Sequence, residues 1–361
     1  MYWNTPVDAF PGEQHRNALL AHCRQWDARM VAMSNDSPDE AAANPELLRQ
    51  VLAGEFRAVA RLITLVENGD SGAIPYLRKI FPHTGNCFTI GITGAPGSGK
   101  STLVDVLAGL FRADGKRVGI IAVDPTSPFS GGAILGDRIR MQSRCTDSGT
   151  FIRSMATRGH LGGLTRTTTD VLLVLDAAGF DVVLIETVGV GQDEVEIAQT
   201  ADATLVLLVP GMGDDIQTMK AGIMEIGDVF VINKADHPGV ERVEAELNAL
   251  LAMKSRPDGW TPAVVRTVAS AGEGVDDCAR AIGIYRQVIE KSYYRRDRAF
   301  RIQRDRLLEL IRSRLMKDLL EAPGMTARID ELSRLVAERK LDPYTAADIL
   351  ARPHTAGHTT L

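Results

Sequence analysis

The chain has 361 residues, of which 45% are hydrophobic and 24% charged, with a formal net charge of −5. That composition is globular and leaves room for one large domain with helical additions, and the mild negative charge gives no electrostatic reason to expect nucleic acid or an anionic membrane as partner. Cys23, Cys87, Cys145 and Cys278 are too scattered to form a zinc or nickel motif; with no signal-like N-terminus and no apolar run near the roughly 20 residues of a membrane span, a cytoplasmic location with reduced thiols is expected.

Residues 1–85 read as a helical lead-in. Between Pro45 and Glu67, Leu47, Leu48, Val51, Leu52, Phe56, Val59, Leu62 and Leu65 recur at spacings of three and four, the signature of an amphipathic helix. From Cys87 the texture changes to short β-rich runs: Cys87 to Thr93, Arg117 to Asp124, Asp181 to Glu186, Ala203 to Val209 and Val229 to Asn233. Several are apolar on successive residues, as strands covered on both faces of a parallel sheet must be. Helical stretches such as Ser101 to Ala113 lie between them, so residues 86–284 are expected to form an α/β domain with a doubly wound, mostly parallel sheet. From residue 285 to 361 the chain turns basic and helical. Leu308, Ile311, Leu315 and Leu319 fall on one helical stripe, which reads as an amphipathic arm with a solvated basic face. Asp342 followed by Pro343 reads as an N-cap with proline at the first helical position, opening a last helix through Leu350.

Gly94, Ala95, Pro96, Gly97, Ser98, Gly99, Lys100 and Ser101 match GxxxxGK[ST] between a predicted strand and a predicted helix, the setting in which this phosphate-binding loop works. The glycines allow backbone N–H groups to turn toward phosphate oxygens, and the helix, continuing through Thr102, adds the positive end of its dipole. Lys100 would reach the β and γ phosphates and Ser101 would ligate Mg²⁺. The spacing therefore implies a P-loop nucleoside triphosphatase.

A phosphate loop does not choose the base. Asn233, Lys234 and Asp236 form an NKxD pattern at the end of a strand. A carboxylate at Asp236 can accept from both N1–H and N2–H of guanine, a pairing adenine cannot offer, so GTP and GDP are the expected nucleotides. Asn233 would support the loop and the Lys234 stem would cover the purine face. Val268, Ala269 and Ser270 are a second expected base contact.

Acidic residues at strand ends are the candidate magnesium ligands: Asp124, Asp137 and Glu186. Glu186 with Thr187, Val188 and Gly189 occupies the place of a DxxG element, whose acid holds the metal's water and whose glycine N–H senses the γ-phosphate; glutamate here departs from most GTPases. The position after Gly189 is Val190, which cannot orient an attacking water. Slow unassisted hydrolysis follows, with Gln192, Gln217 and Lys220 as groups that a docked partner could bring in. Lys220 in particular could neutralise charge on the transferred phosphoryl group.

The run from Ala122 to Met141, the segment Ser154 to Thr168, ETVGVGQ at Glu186 to Gln192, the NKAD and LDPYTAADIL at Leu341 to Leu350 together resemble the methylmalonyl-CoA mutase-associated GTPases, the MeaB/ArgK family, over about residues 45–350. The resemblance implies a homodimeric GTPase that escorts an adenosylcobalamin-dependent acyl-CoA mutase during cofactor loading and protection; the apolar stripe of the C-terminal helices, which one short arm cannot cover by itself, makes them the expected dimer seam. It also implies metal and switch roles for Asp124, Asp137 and Glu186 and a mobile, partner-facing switch at Gly211 to Lys220. The other two readings are a transport-associated ATPase or kinase, which guanine selection by Asp236 opposes, and a nickel metallochaperone GTPase, for which the sequence has no histidine-rich tract.

Overall fold

A computed structural model describes residues 43–124, 147–156, 163–187, 200–211, 225–253, 256, 259–291 and 293–351. Seven parallel strands form one sheet: β1 (Phe88–Gly94), β2 (Val118–Asp124), β3 (Thr150–Ala156), β4 (Val182–Thr187), β5 (Ala203–Leu208), β6 (Val229–Asn233) and β7 (Ala263–Thr267), in the order β3-β2-β4-β1-β5-β6-β7. The all-apolar runs became the interior. Every residue of β1, β4, β5 and β6 is buried, because helices cover both faces of the sheet.

The two faces divide the strand residues by alternation. Val182 and Leu184 point to one side, with Ile90, Ile92 and Ile120, against helix α4 (Lys100–Ala113) and helix α7 (Val275–Lys291). Val183 and Ile185 point to the other, with Ile121 and Val123, against α5 (Gly163–Ala177) and the lead-in. A third cluster packs Val206, Leu208, Phe230 and Ile232 under α6 (Val240–Ala252).

The lead-in is α1 (Pro45–Leu52), α2 (Phe56–Glu67) and α3 (Ile74–Ile80). The amphipathic pattern from Pro45 to Glu67 is carried by α1 and α2, parted at Ala53–Glu55, where Gly54 takes φ +71 and Arg117 crowds the place a side chain would fill. Asn44 caps α1 through its side-chain oxygen, which accepts from the N–H of Glu46 at 2.9 Å, and its own N–H donates to Tyr76 Oη at 2.8 Å, tying α1 to α3. Val59, Leu62, Ile63, Val66 and Ile80 are buried in the same cluster as Val183 and Ile185, so these helices form the second layer of the sheet. Phe56, Phe151 and Phe180 meet in one aromatic group with centroids 5.7–6.0 Å apart. Arg117 lies over the Phe180 ring at 4.7 Å and donates to the carbonyls of Ala178 and Gly54.

The C-terminal part is α8 (Tyr293–Leu320), α9 (Met325–Ala337) and α10 (Pro343–Ala351). Position 285, where the third texture begins, lies inside α7: Tyr285 is 1% exposed and packs on Trp260 with centroids 5.2 Å apart. Asp342 accepts from the N–H of Thr345 at 2.9 Å, opening α10. On α8 the expected stripe is mostly exposed, Leu308 at 38%, Ile311 at 45% and Leu315 at 64%, while Leu319 is half-buried; Phe300 at 67% and Leu307 at 58% extend the exposed apolar side. The half-buried side is Ile302, Arg306, Glu309 and Ser313. Arg306 reaches Asp170 on α5 at 2.5 Å. Among the described residues no helix is long and apolar enough to cross a membrane.

Candidate nucleotide site

The sheet order brings the candidate residues to one edge. β1 sits in the middle with its carboxyl end running into the phosphate loop; β4 and β2 lie on one side of it, ending near Glu186 and Asp124, and β5, β6 and β7 lie on the other, with Asn233 at the end of β6 and Thr267 at the end of β7. In open parallel sheets this carboxyl edge is where ligands bind.

Two glycines of the loop are obligatory for different reasons. At Gly94 (φ +143) a side chain would meet the Leu207 carbonyl of β5 at 2.5 Å, and at Gly99 (φ +92) it would meet Asn233 Nδ2 at 2.3 Å. The chain turns through Ala95, Pro96, Gly97 and Ser98, with the Ser98 N–H donating to the Ala95 carbonyl at 3.1 Å, and enters α4 at Lys100. The N–H groups of a first helical turn have no carbonyl of their own helix to bond, and with the helix dipole they make this end favourable to an anion. Lys100 is buried, and its Nζ donates to the carbonyls of Gly94 at 2.7 Å and Ala95 at 3.0 Å, which folds the ammonium back along the loop. Thr102 is exposed near the start of the helix.

Ser101 Oγ donates to Glu186 Oε1 at 2.5 Å. The strand registers explain the meeting: Glu186 lies opposite Ile92 on β1 and Ala122 on β2, level with the start of the loop. A hydroxyl and a buried carboxylate in contact at a helix N-terminus are hard oxygen donors, which fits Mg²⁺, an ion held by one or two protein oxygens with phosphates and waters supplying the rest. Asp124 ends β2 at the same edge, while its side chain, together with Asp137, Gly189, Val190, Gln192, Gln217 and Lys220, lies outside the described residues.

On the other side of the loop, buried Asn233 makes three bonds. Its Nδ2 donates to the Ser98 carbonyl at 2.8 Å, and its Oδ1 accepts from Thr267 Oγ1 at 3.0 Å and from the Ala269 N–H at 3.1 Å. One amide thus joins the phosphate loop to both expected base-contacting turns. Lys234 follows at φ +54, a left-handed conformation uncommon outside glycine, which turns the chain so that Asp236 stands exposed. The Ala235 N–H donates to the Thr267 carbonyl at 3.0 Å. Val268 pairs with Glu273, burying Ala269 and leaving Ser270 exposed at the same edge. Thr267 was not among the residues singled out from the sequence; a hydroxyl at a strand end just before the Val268 turn was the available signal.

Comparison with known proteins gives the family. The family model described as "Methylmalonyl Co-A mutase-associated GTPase MeaB" matches residues 59–324. The "Putative GTPase PYRAB02490" of Pyrococcus abyssi is 49% identical over 316 residues, covering 86% of this chain and 97% of its own. "GTPase ArgK" of Escherichia coli is 35% identical over 314 residues, covering 85% and 90%. A solved structure described as "Crystal structure of LAO/AO transport system kinase" superposes with TM-score 0.64 at 26% identity, covering 86% of this chain and 98% of that one. On the family match over residues 59–324 and these relatives, the chain belongs to the MeaB family of P-loop GTPases.

Proposed function

We propose that this GTPase couples hydrolysis of GTP, to GDP and phosphate, to the loading and protection of the cofactor of an adenosylcobalamin-dependent acyl-CoA mutase, acting as a homodimer. The hydrolytic half rests above all on one observation, the three bonds of Asn233 that hold the phosphate loop and the base-reading turns as a unit. The mutase half is supported by the family description and the length of the match. The dimer is supported by the outward apolar stripe of α8, which lies uncovered along the arm.

In this reading the backbone of Gly94 to Gly99 cradles the phosphates, and Lys100 exchanges its carbonyl contacts for the β and γ oxygens. Ser101 and Glu186, with Asp124 and Asp137, would hold Mg²⁺, which would offset charge on the triphosphate. Donation from Ser101 to Glu186 leaves the hydroxyl's lone pairs for the metal. Gly189 senses the γ-phosphate. Asp236 reads N1–H and N2–H of guanine, Lys234 covers the ring, and the turn at Val268, Ala269 and Ser270 closes the other side. Val190 leaves the attacking water without a side chain to orient it, so turnover is slow until the mutase brings Lys220 or a neighbouring glutamine to the site.

The likeness to the LAO/AO transport system kinase favours a second reading, a transport-linked kinase acting on ATP. Calorimetric titration separates the two. Hydrogen bonds to a charged acceptor are each worth about 1.5–3 kcal/mol, so Asp236→Asn should weaken GTP binding at least about tenfold, equivalent to ~1.4 kcal/mol. Wild-type protein that binds ATP as tightly as GTP would overturn the guanine assignment. Single-turnover hydrolysis with and without the cognate mutase tests the partner; no acceleration of the wild type would sink that half alone.

A further inference from the structure

We infer that Arg306 and Asp170 are a positioning pair that couples the C-terminal arm to the nucleotide site. The inference rests on the reading of α8 as an interface arm. Two observations carry it. The first is the inverted amphipathicity of α8, whose apolar residues Phe300, Leu307, Ile311 and Leu315 face away from the nucleotide domain while its half-buried side carries Ile302, Arg306, Glu309 and Ser313. The arm is thus seated on the domain partly by a charge. Arg306 Nη2 donates to Asp170 Oδ1 at 2.5 Å, with the two side chains only 15% and 11% exposed. A pair at that depth is sensitive to its partner's presence, because losing one member strands the other charge away from water. The Nη2–Oδ1 contact is charge-assisted, which ties the arm to this point of α5 more strongly than a neutral pair would.

The second observation is where Asp170 leads. Its helix, α5, presses Val171, Val174 and Leu175 into the cluster that contains Val183 and Ile185 of β4. The next residue of β4, Glu186, holds Ser101 of the phosphate loop. Arg306, Asp170, α5, β4 and Ser101 therefore form a continuous packed route from the arm to the metal end of the nucleotide site. Packed elements of this kind transmit small displacements as shifts between discrete arrangements. Whatever covers the stripe of α8 and moves the arm acts on Asp170, and a change at Glu186 on nucleotide exchange acts on the arm by the reciprocal path.

The test uses the full-length protein and hydrogen exchange of the amides in 300–313, compared between GDP and a non-hydrolysable GTP analogue with Mg²⁺. In the wild type the two nucleotides should give exchange rates differing by about threefold or more, a detectable shift in a local opening equilibrium. Arg306→Gln and Asp170→Asn should each abolish that difference, and the double swap Asp170→Arg with Arg306→Asp should restore it. Arg306→Lys, which keeps the charge and one donor for Asp170, should restore part of it and guards against a single variant that fails to fold. In steady state, the single variants should lower kcat while leaving KM for GTP within about twofold, since no group that touches nucleotide is altered. Retention of the wild-type difference in Arg306→Gln would overturn the inference, as would a swap that folds and binds GTP without restoring it. Sedimentation of the same samples reads the dimer separately: a monomeric wild type whose arm still responds to nucleotide would refute the dimer and leave the coupling standing.

Discussion

The lead-in and the arm are both amphipathic helical segments flanking one sheet, and they spend their apolar faces in opposite ways. In α1, α2 and α3 the apolar residues Val51, Val59, Leu62, Ile63 and Ile80 are fully buried with the strand residues of β2 and β4. In α8 the residues of the same kind stand outside, and the inward side is fixed by Arg306 on Asp170. Helical periodicity states that a face exists; it does not state which surface covers it. The position of a helix relative to the sheet decides that. The lead-in supplies a layer that a parallel sheet cannot do without, whereas the arm supplies one the sheet does not need.

The comparison breaks most readily at Leu62. Leu62→Ala removes a fully buried side chain between α2 and the sheet and should cost about 2–5 kcal/mol, read as a drop in denaturant midpoint. Ile311→Glu on the arm should change monomer stability by less than ~0.5 kcal/mol and instead convert the proposed dimer to a monomer in sedimentation, as should deletion from Arg298 onward with GTP binding retained. Equal destabilisation at the two positions with no change in mass would mean that the stripe is covered by its own chain. The smallest effect is electrostatic. Asp147 is held below the usual carboxylate range chiefly by the Arg112 guanidinium at 2.7 Å, then by the Gly149 N–H and the Thr150 hydroxyl. Because its folded value is depressed, its contribution is complete above the unfolded carboxylate value and is lost as pH falls below it. Asp147→Asn should lower the melting temperature most above about pH 4, where the carboxylate's contribution is complete, and flatten its fall below that, so that the two curves converge toward acid pH.

Much of this was legible in the chain. The central strands β1, β2, β4, β5 and β6 stand out as runs of apolar residues because both their faces are covered. The edge strands β3 and β7 do not. Residues such as Arg153 and Arg266 interrupt them, and each carries an ion pair that only the folded neighbours explain, with Glu67 of α2 and Glu244 of α6 respectively. The phosphate loop and the NKxD turn could be found because each is local and its chemistry needs fixed spacing. The joint between them could not, since Asn233 reaches Ser98 across 135 residues and Thr267 across 34. Likewise the contact of Ser101 with Glu186 depends on a strand register that no periodicity encodes.

That joint has a consequence for what the site can measure. With a single buried amide spanning the Ser98 carbonyl on one side and the Ala269 N–H on the other, the gap between the phosphate end and the base end behaves as a caliper whose jaws are welded. Under the proposed nucleotide reading, a ligand would be gauged by its length as well as by its edge pattern: a guanine carried on a stretched or shortened sugar-phosphate chain would satisfy one jaw and miss the other. Gly99, where any side chain would strike the same amide, is the point at which the gauge is set, so a methyl group there would change the reach of the site before it changed its chemistry.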